Sequence, residues 1–409
     1  MLKWFLAFFG IVLLFNSCDT KDHQALTAFG VYCEMVANDA KPVAFHYPMQ
    51  TDEVNALWND FEGIAQDYDV ALYREENLPN SLLFPDDIAK GKEVVLIYKG
   101  NRLHQYLQWK EDALVIESKD FKALEANSRR LGRLLGYSPK GINELLRKNS
   151  AYRDLTSFKV KEQTTHLYYA DLEGAISFYK NTLGLHQKDS STFQISSKGY
   201  IQLHPFDEKH TIKDPKSTAI ALLTDELASW YAHVQREDIP IKYTYKPRVG
   251  GPHDGFVAID PGGYLLEFEQ FKQHPENELF MAVLSTVRPV KTKIADLDFY
   301  GTITWTYHND MLKMQRFYEQ RLGYELVADQ GWTKIYQTTN TTFIGLVDEK
   351  RGMEDYADQK AVELEWKVSN FVGFRDYAKK YLIPFIQNDS ILVGPERYTY
   401  RISPENQDE

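Results

Sequence analysis

The chain has 409 residues and only two cysteines, Cys18 and Cys33. Two such residues cannot build a disulfide framework, so the fold must be held by its core. Positive charge is in deficit: 47 Lys and Arg against 58 Asp and Glu leave a net charge of −11. No Lys/Arg-rich run occurs anywhere. Nucleic acid is therefore excluded as a partner, because a phosphate backbone needs a basic surface. Long apolar runs are missing too. The longest, Trp4 to Phe15, falls short of the roughly 20 residues that a helix needs to span about 30 Å of hydrocarbon. What is present is apolar and aromatic material, 43% and 14% of residues, enough for a globular body. At roughly 100–200 residues per domain, the length predicts two to four domains.

The N-terminal stretch "MLKWFLAFFGIVLLFNSC" has one basic residue, Lys3, an apolar run, then small or polar residues before Cys18. This is the layout of a secretory signal peptide. Cys18 directly after Ser17 resembles the lipobox of bacterial lipoproteins, in which that cysteine is lipidated. The resemblance implies a signal peptide over residues 1–17, lipidation at Cys18 and a polar tether over 18–24. It also implies a lipid-anchored place in the bacterial cell envelope, at the outer membrane, with the membrane as a partner through the lipid. A cleaved signal peptide with an incidental cysteine, or an N-terminal helix, are the alternatives. Cys33 is then the one remaining thiol, expected to be buried in a helix.

Residues 25–150 read as a small α/β domain of unknown role. Leu26, Phe29, Cys33 and Val36 recur at helical spacing, and Asp52 to Tyr68 is amphipathic. "PVAFHY", "VALYR" and "EVVLIYK" read as strands, the last apolar throughout and so buried on both faces. Ser138 and Pro139 form a helix N-cap and first-turn pair. His46, His104 and the Asp86–Asp87 pair show no partner pattern and read as surface or satisfied residues. Ser150 to Gln163 is polar and reads as a linker.

The remainder repeats itself. "SFYKNTLGL" (Ser177 to Leu185) recurs as "RFYEQRLGY" (Arg316 to Tyr324) at a constant offset of 139. Duplicated units leave such fixed spacings. In each copy a strand leads into a helix opened by an acidic residue, Asp171 or Asp310, and closed by the glycine of "LG".

Together, "HLYYADLEGAISFYKNTLGL" and "DPGGYLLEFEQF" resemble the vicinal-oxygen-chelate superfamily, the glyoxalase and extradiol-dioxygenase fold. The resemblance is strong over 160–271 and weaker over 300–405. It implies an α+β chain: the small α/β domain, then two glyoxalase-like domains, 160–272 and a degenerate 298–405, each a pair of βαβββ modules closing a cup. The two domains are expected to pack on each other.

Metal-dependent members of that superfamily carry His, Gln or Glu at recurring strand positions facing the cup. Here those slots hold Thr164, Thr218, Gln202 and Glu267 in the first copy, and Ile303, Gly345 and Val362 in the second. The chain ends before a second counterpart of Glu267. A threonine hydroxyl is a poor ligand for zinc or iron(II). Strand alternation puts His166 and His204 on the faces of Thr164 and Gln202, so His166, His204 and Glu267 form a displaced candidate metal set. His166 nevertheless stands about 6.6 Å along the strand from the usual slot, and a divalent metal is disfavoured. Tyr168, Tyr200, Gln202 and Glu269 are expected in the same cup. Tyr243, Tyr245, Arg248 and His253, on a Gly/Pro-rich hairpin with Lys246, are expected at its mouth, where basic groups suit an anion. No catalytic residue and no cofactor is identified.

Three functions follow. One is a lipid-anchored glyoxalase-fold protein that binds a small organic ligand in the first cup without a metal. The second is a metal-dependent lyase or dioxygenase using the displaced His/His/Glu set. The third is a non-catalytic envelope interaction module.

Overall fold

A computed structural model describes residues 23–85, 88–117, 120–149, 152–380 and 390–405. The expected signal peptide, Cys18 and the Asp86–Asp87 pair lie outside them. The chain divides into two compact units at Tyr152 and Arg153.

The first unit has residues 23–37 as a helix, which takes in His23 and Gln24 of the expected tether. Cys33 is fully buried in it. Burial pushes its thiol up to about 12. Three strands follow the expected segments: Val43–Phe45, Ala71–Glu75 and Val94–Tyr98. The all-apolar third strand takes the central place, antiparallel to both others. Five helices accompany the sheet among the described residues. Ser138 caps Pro139–Lys148 by accepting from the Gly141 amide.

The second unit contains the expected modules. The first runs from Val160–Tyr169 to Gly199–Pro205 and the second from Thr218–Leu223 to Leu265–Phe271. The third runs from Gly301–His308 to Thr342–Asp348, and the fourth from Val362–Val368 to Thr399–Pro404. Asp171 and Asp310 cap their helices, accepting from the amides of Gly174 and Lys313. Gly184 and Gly323 close the following turns at φ +63° and +77°, a region that side chains with a Cβ disfavour. The expected linker, Ser150 to Gln163, contains the division between the two units, and its later residues take regular structure. Asp154 caps a short 3-10 turn, and Leu155 and Phe158 from that turn join the core.

The pairing of modules differs from the sequence expectation. The opening strand of the first module lies antiparallel to that of the fourth, His166 opposite Glu363. The opening strands of the second and third modules pair likewise, Ala221 opposite Ile303. One sheet therefore joins the first and fourth modules and the other joins the second and third. We call their concave faces the outer and inner cups. The two expected domains, 160–272 and 298–405, are not closed units, because each cup takes half its wall from either copy.

The reason lies in the other face. Leu167, Ile201, Ile220, Leu222, Phe268, Ile344, Leu364, Trp366 and Tyr400, from all four modules, share one core. The backs of the two sheets touch through Thr165 and Thr304, whose hydroxyls lie 2.7 Å apart. Two tyrosines tie the modules crosswise. Tyr264 accepts from the Tyr168 amide and donates to the Ala361 carbonyl; Tyr398 accepts from the Tyr307 amide and donates to the Ser217 carbonyl.

Candidate functional site

The strand registers align the two cups position by position. His166 lies beside Gln202, and Trp305 beside Gly345. Glu365 lies beside Arg401, and Ala221 beside Glu267. The crosswise tyrosines fix the same alignment, because Glu267 follows Tyr264 by three residues as Arg401 follows Tyr398. The expectation that the chain ends before a counterpart of Glu267 is thus wrong: that counterpart is Arg401. Two other expected slots face away from both cups. Val362 lies in the shared core, and Thr218 donates to the Trp305 carbonyl. In these two modules the cup-facing positions are Glu363 and Glu365, and Ala219 and Ala221.

His166, His204 and Glu267 therefore do not converge. The two histidines stand in the outer cup, and Glu267 stands in the inner one. Tyr168, Tyr200 and Gln202 share the histidines' cup face. Tyr243, His253 and Glu269 join Glu267. Tyr245 turns instead onto Tyr231 and Phe256, away from the cup. Arg248 lines a separate depression on the hairpin with Lys246, and its amide is held by Asp254.

The outer cup is a network of charges. Glu363 accepts from Lys209 at 2.6 Å, Arg401 at 3.0 Å and Thr399 at 3.3 Å. Burial works against it, but Lys209 and Arg401 hold its carboxyl down to about 2. Glu365 is likewise held at about 2, against burial, by His166 and Ser403. His166 Nδ1 and His204 Nε2 share a hydrogen bond at 2.8 Å. His166 Nε2 stands 3.3 Å from Glu365 without the alignment of a hydrogen bond. Burial, then His166 and Arg401, push His204 down to about 4. His210 stacks on Tyr168 at 3.9 Å.

The inner cup is mainly apolar and aromatic and holds one pair of carboxyls. Ala219, Ala221, Leu223, Ile303 and Phe343 line it, and Phe280 and Leu284 of the short helix Glu278–Leu284 plug one end. The open end is a cavity of about 250 Å³ walled by Tyr243, Phe271, Trp305, Tyr307 and Trp332, with Glu267 and Glu269 in its side. Both carboxyls are raised, first by burial. They share a hydrogen bond, and Glu269 is raised further by its neighbour's charge. The pair therefore holds its protons at neutral pH. Glu269 Oε2, Trp305 Nε1 and His253 Nδ1 are buried without hydrogen-bond partners. Burial lowers the His253 pKa, which leaves the ring neutral.

Among the described residues no group of three His, Cys, Asp or Glu side chains is placed to hold an ion. In the outer cup, Arg401 puts a guanidinium where Glu267 stands in the inner one, and a fixed cation there opposes a second. In the inner cup, the Trp305 indole lies over Gly345, so close that a Cβ there would come within 1.9 Å of it. A liganding side chain has no room at that position. The sequence shows the threonines and Gly345, but the filling of that space by Trp305 depends on the cross-strand register.

Met353 and the Phe280 plug were missed as wall residues. They lie in a turn and a linker helix, and only the folded chain brings them to the inner cup.

Residues 162–268 match the Glyoxalase/Bleomycin resistance protein/Dioxygenase superfamily model. The chain thus carries a domain of that superfamily. No curated protein matches the chain. Among solved structures it is similar to glyoxalase I from Zea mays, at 15% identity, over 61% of this chain and 95% of that one, with a TM-score of 0.41. It is also similar to lactoylglutathione lyase from Agrobacterium tumefaciens, at 20% identity, over 26% of this chain and 90% of that one, with a TM-score of 0.22.

Proposed function

We propose that this glyoxalase-fold protein is a lipid-anchored binding protein of the bacterial envelope that takes a small, uncharged organic ligand in its inner cup, without a metal. The cavity supports this reading: it has aromatic walls and three buried polar atoms that lack partners. Leaving a buried donor or acceptor unpaired costs about 1–3 kcal/mol. A planar molecule with hydrogen-bonding edges would offer partners to these atoms while its face lies on Trp332. With Glu267 and Glu269 protonated, the pocket offers carboxylic acid groups rather than a charge, which favours a neutral ligand. The lipid anchor and envelope address rest on the N-terminal sequence, with Cys18 as the lipidated residue.

The test is a thermal-shift screen of neutral heteroaromatic metabolites on the purified protein, followed by calorimetry. The expected result is a ligand that stabilises the wild type and loses at least tenfold in affinity in Glu269→Leu and Trp305→Phe. Stoichiometric divalent metal in the purified protein, lost in Glu267→Ala, would overturn the reading. So would a ligand whose affinity ignores both substitutions.

A second reading, a metal-dependent lyase or dioxygenase, retains one observation: His166, His204 and Glu365 cluster in the outer cup. An ion there would have to part the hydrogen-bonded imidazoles and sit beside Arg401. Metal content lost in His166→Ala, with Glu267→Ala unaffected, would support that reading over the first.

A further inference from the structure

The first unit contains a cavity of about 220 Å³. Its walls are mostly apolar or aromatic, including Tyr32, Phe84, Leu135 and Tyr137, but two polar groups also line it. One is Lys41, half-buried at the start of the first strand. Its ammonium donates to the Leu135 carbonyl at 2.7 Å and sits 4.7 Å over the Tyr137 ring. Among the described residues no carboxylate pairs with it, and burial lowers its pKa. A three-donor cation is thus held by one carbonyl and one ring face, with no counter-ion.

The other group is His46, just past the end of the same strand. It is 1% exposed and wedged among Phe29, Tyr32 and Phe61, so of the two readings the sequence allows, surface or satisfied, the first does not hold. Its Nε2 lies 3.2 Å from the Ala25 carbonyl, while Nδ1 has no partner. Burial lowers its pKa against the pull of the Ala25 and Tyr47 backbone, so the ring is neutral. With one proton, and Nε2 using it toward a carbonyl, Nδ1 carries a free lone pair. A cation without an anion and an acceptor without a donor thus line one apolar cavity. The unmet acceptor in the interior calls for an explanation, and the half-buried ammonium stands on the same cavity.

We propose that this cavity binds a small organic acid: a carboxylate paired with Lys41, an apolar or aromatic body, and a hydroxyl or N–H that donates to His46 Nδ1. The site is independent of the cups. The carboxylate supplies the missing counter-charge, the tyrosine and phenylalanine walls take the body, and the imidazole selects for a donor group.

The test uses three matched probes on the full chain: 4-hydroxyphenylacetate, phenylacetate and tyramine. The first carries both an acid and a donor, the second lacks the donor, and the third replaces the acid with an amine. Calorimetry should show 4-hydroxyphenylacetate binding at least tenfold more tightly than phenylacetate, and no binding of tyramine. Lys41→Met should abolish binding of both acids. His46→Phe should weaken 4-hydroxyphenylacetate to the level of phenylacetate and leave phenylacetate unchanged. Glu269→Leu, in the inner cup, should change none of these affinities. Because Lys41→Met could disturb folding, Lys41→Arg serves as the second variant and should keep measurable acid binding with an unchanged near-UV spectrum. No binding of either acid to the wild type would overturn the proposal. So would equal affinity for the acids and tyramine, or acid binding that survives Lys41→Met.

Discussion

The pair of carboxyls in the inner cup should make the second unit lose stability as the pH rises toward neutrality. Glutamate ordinarily titrates near 4.5. In the fold, burial raises both Glu267 and Glu269 above that value. Below the ordinary value both folded and unfolded chains hold the protons, and the pair costs nothing. Above it the unfolded chain releases them while the folded chain retains them, so folding becomes less favourable with each pH unit. The slope is about 1.4 kcal/mol per pH unit for each retained proton. From pH 5 to pH 7 one retained proton removes about 2.7 kcal/mol and two remove about twice that. The isosteric pair Glu267→Gln/Glu269→Gln cannot ionise and escapes this loss. The assay is urea unfolding of wild type and double variant at half-unit pH steps, read by near-UV circular dichroism. Every other titrating group cancels in the difference. The variant should gain on the wild type by at least about 2.7 kcal/mol across that range, or about 5–10 °C in melting temperature for a unit of this size. Parallel pH profiles would refute the argument, because they would mean that the carboxyls ionise in the fold as freely as in the unfolded chain.

Three other outcomes are expected. Gly345→Ala drives a methyl into the Trp305 ring and should cost about 1–3 kcal/mol; combining it with Trp305→Ala should recover that cost in a double-mutant cycle, and additive effects would show that the ring does not fill this space. Tyr264→Phe leaves the Tyr168 amide and its neighbours unpaired and should cost about 1–3 kcal/mol by urea unfolding, whereas a neutral result would remove the crosswise tie. The outer cup should respond to acid in the opposite sense: with Glu363 held near 2, its contribution is complete above the ordinary glutamate value and is lost as the pH falls from there toward 2. Glu363→Gln should flatten that loss, which amounts to about 3 kcal/mol less the screening at the partly exposed Lys209 and Arg401.

The local elements were legible because their causes are local. Asp171 and Asp310 open helices by accepting amide hydrogens, and the glycine of each "LG" takes a positive φ; each needs only its immediate neighbours. The run "EVVLIYK" announced a buried strand for the same reason. Strand alternation also placed Thr164, His166 and Tyr168 correctly on one face. What failed was long-range. Nothing within residues 160–272 states that His166 will lie opposite Glu363, almost 200 residues away, rather than across from the second module. That choice depends on how Trp366, Tyr400 and Leu364 fill the shared core. Glu267 was grouped with two histidines that stand in the other cup, and Arg401, its counterpart, was hidden because the last module matches the repeat only weakly. Trp305 packs among the apolar residues of the inner cup and also walls the cavity.

The crossed arrangement of the modules has a consequence for how the chain can be cut. A fragment ending near Phe271 would own half of each cup and close neither, leaving the opening strands of two modules without the partners that the second copy supplies. The most direct way for such a fragment to close is to take those partners from a twin, so cutting the chain there should trade a closed single chain for a pair of fragments.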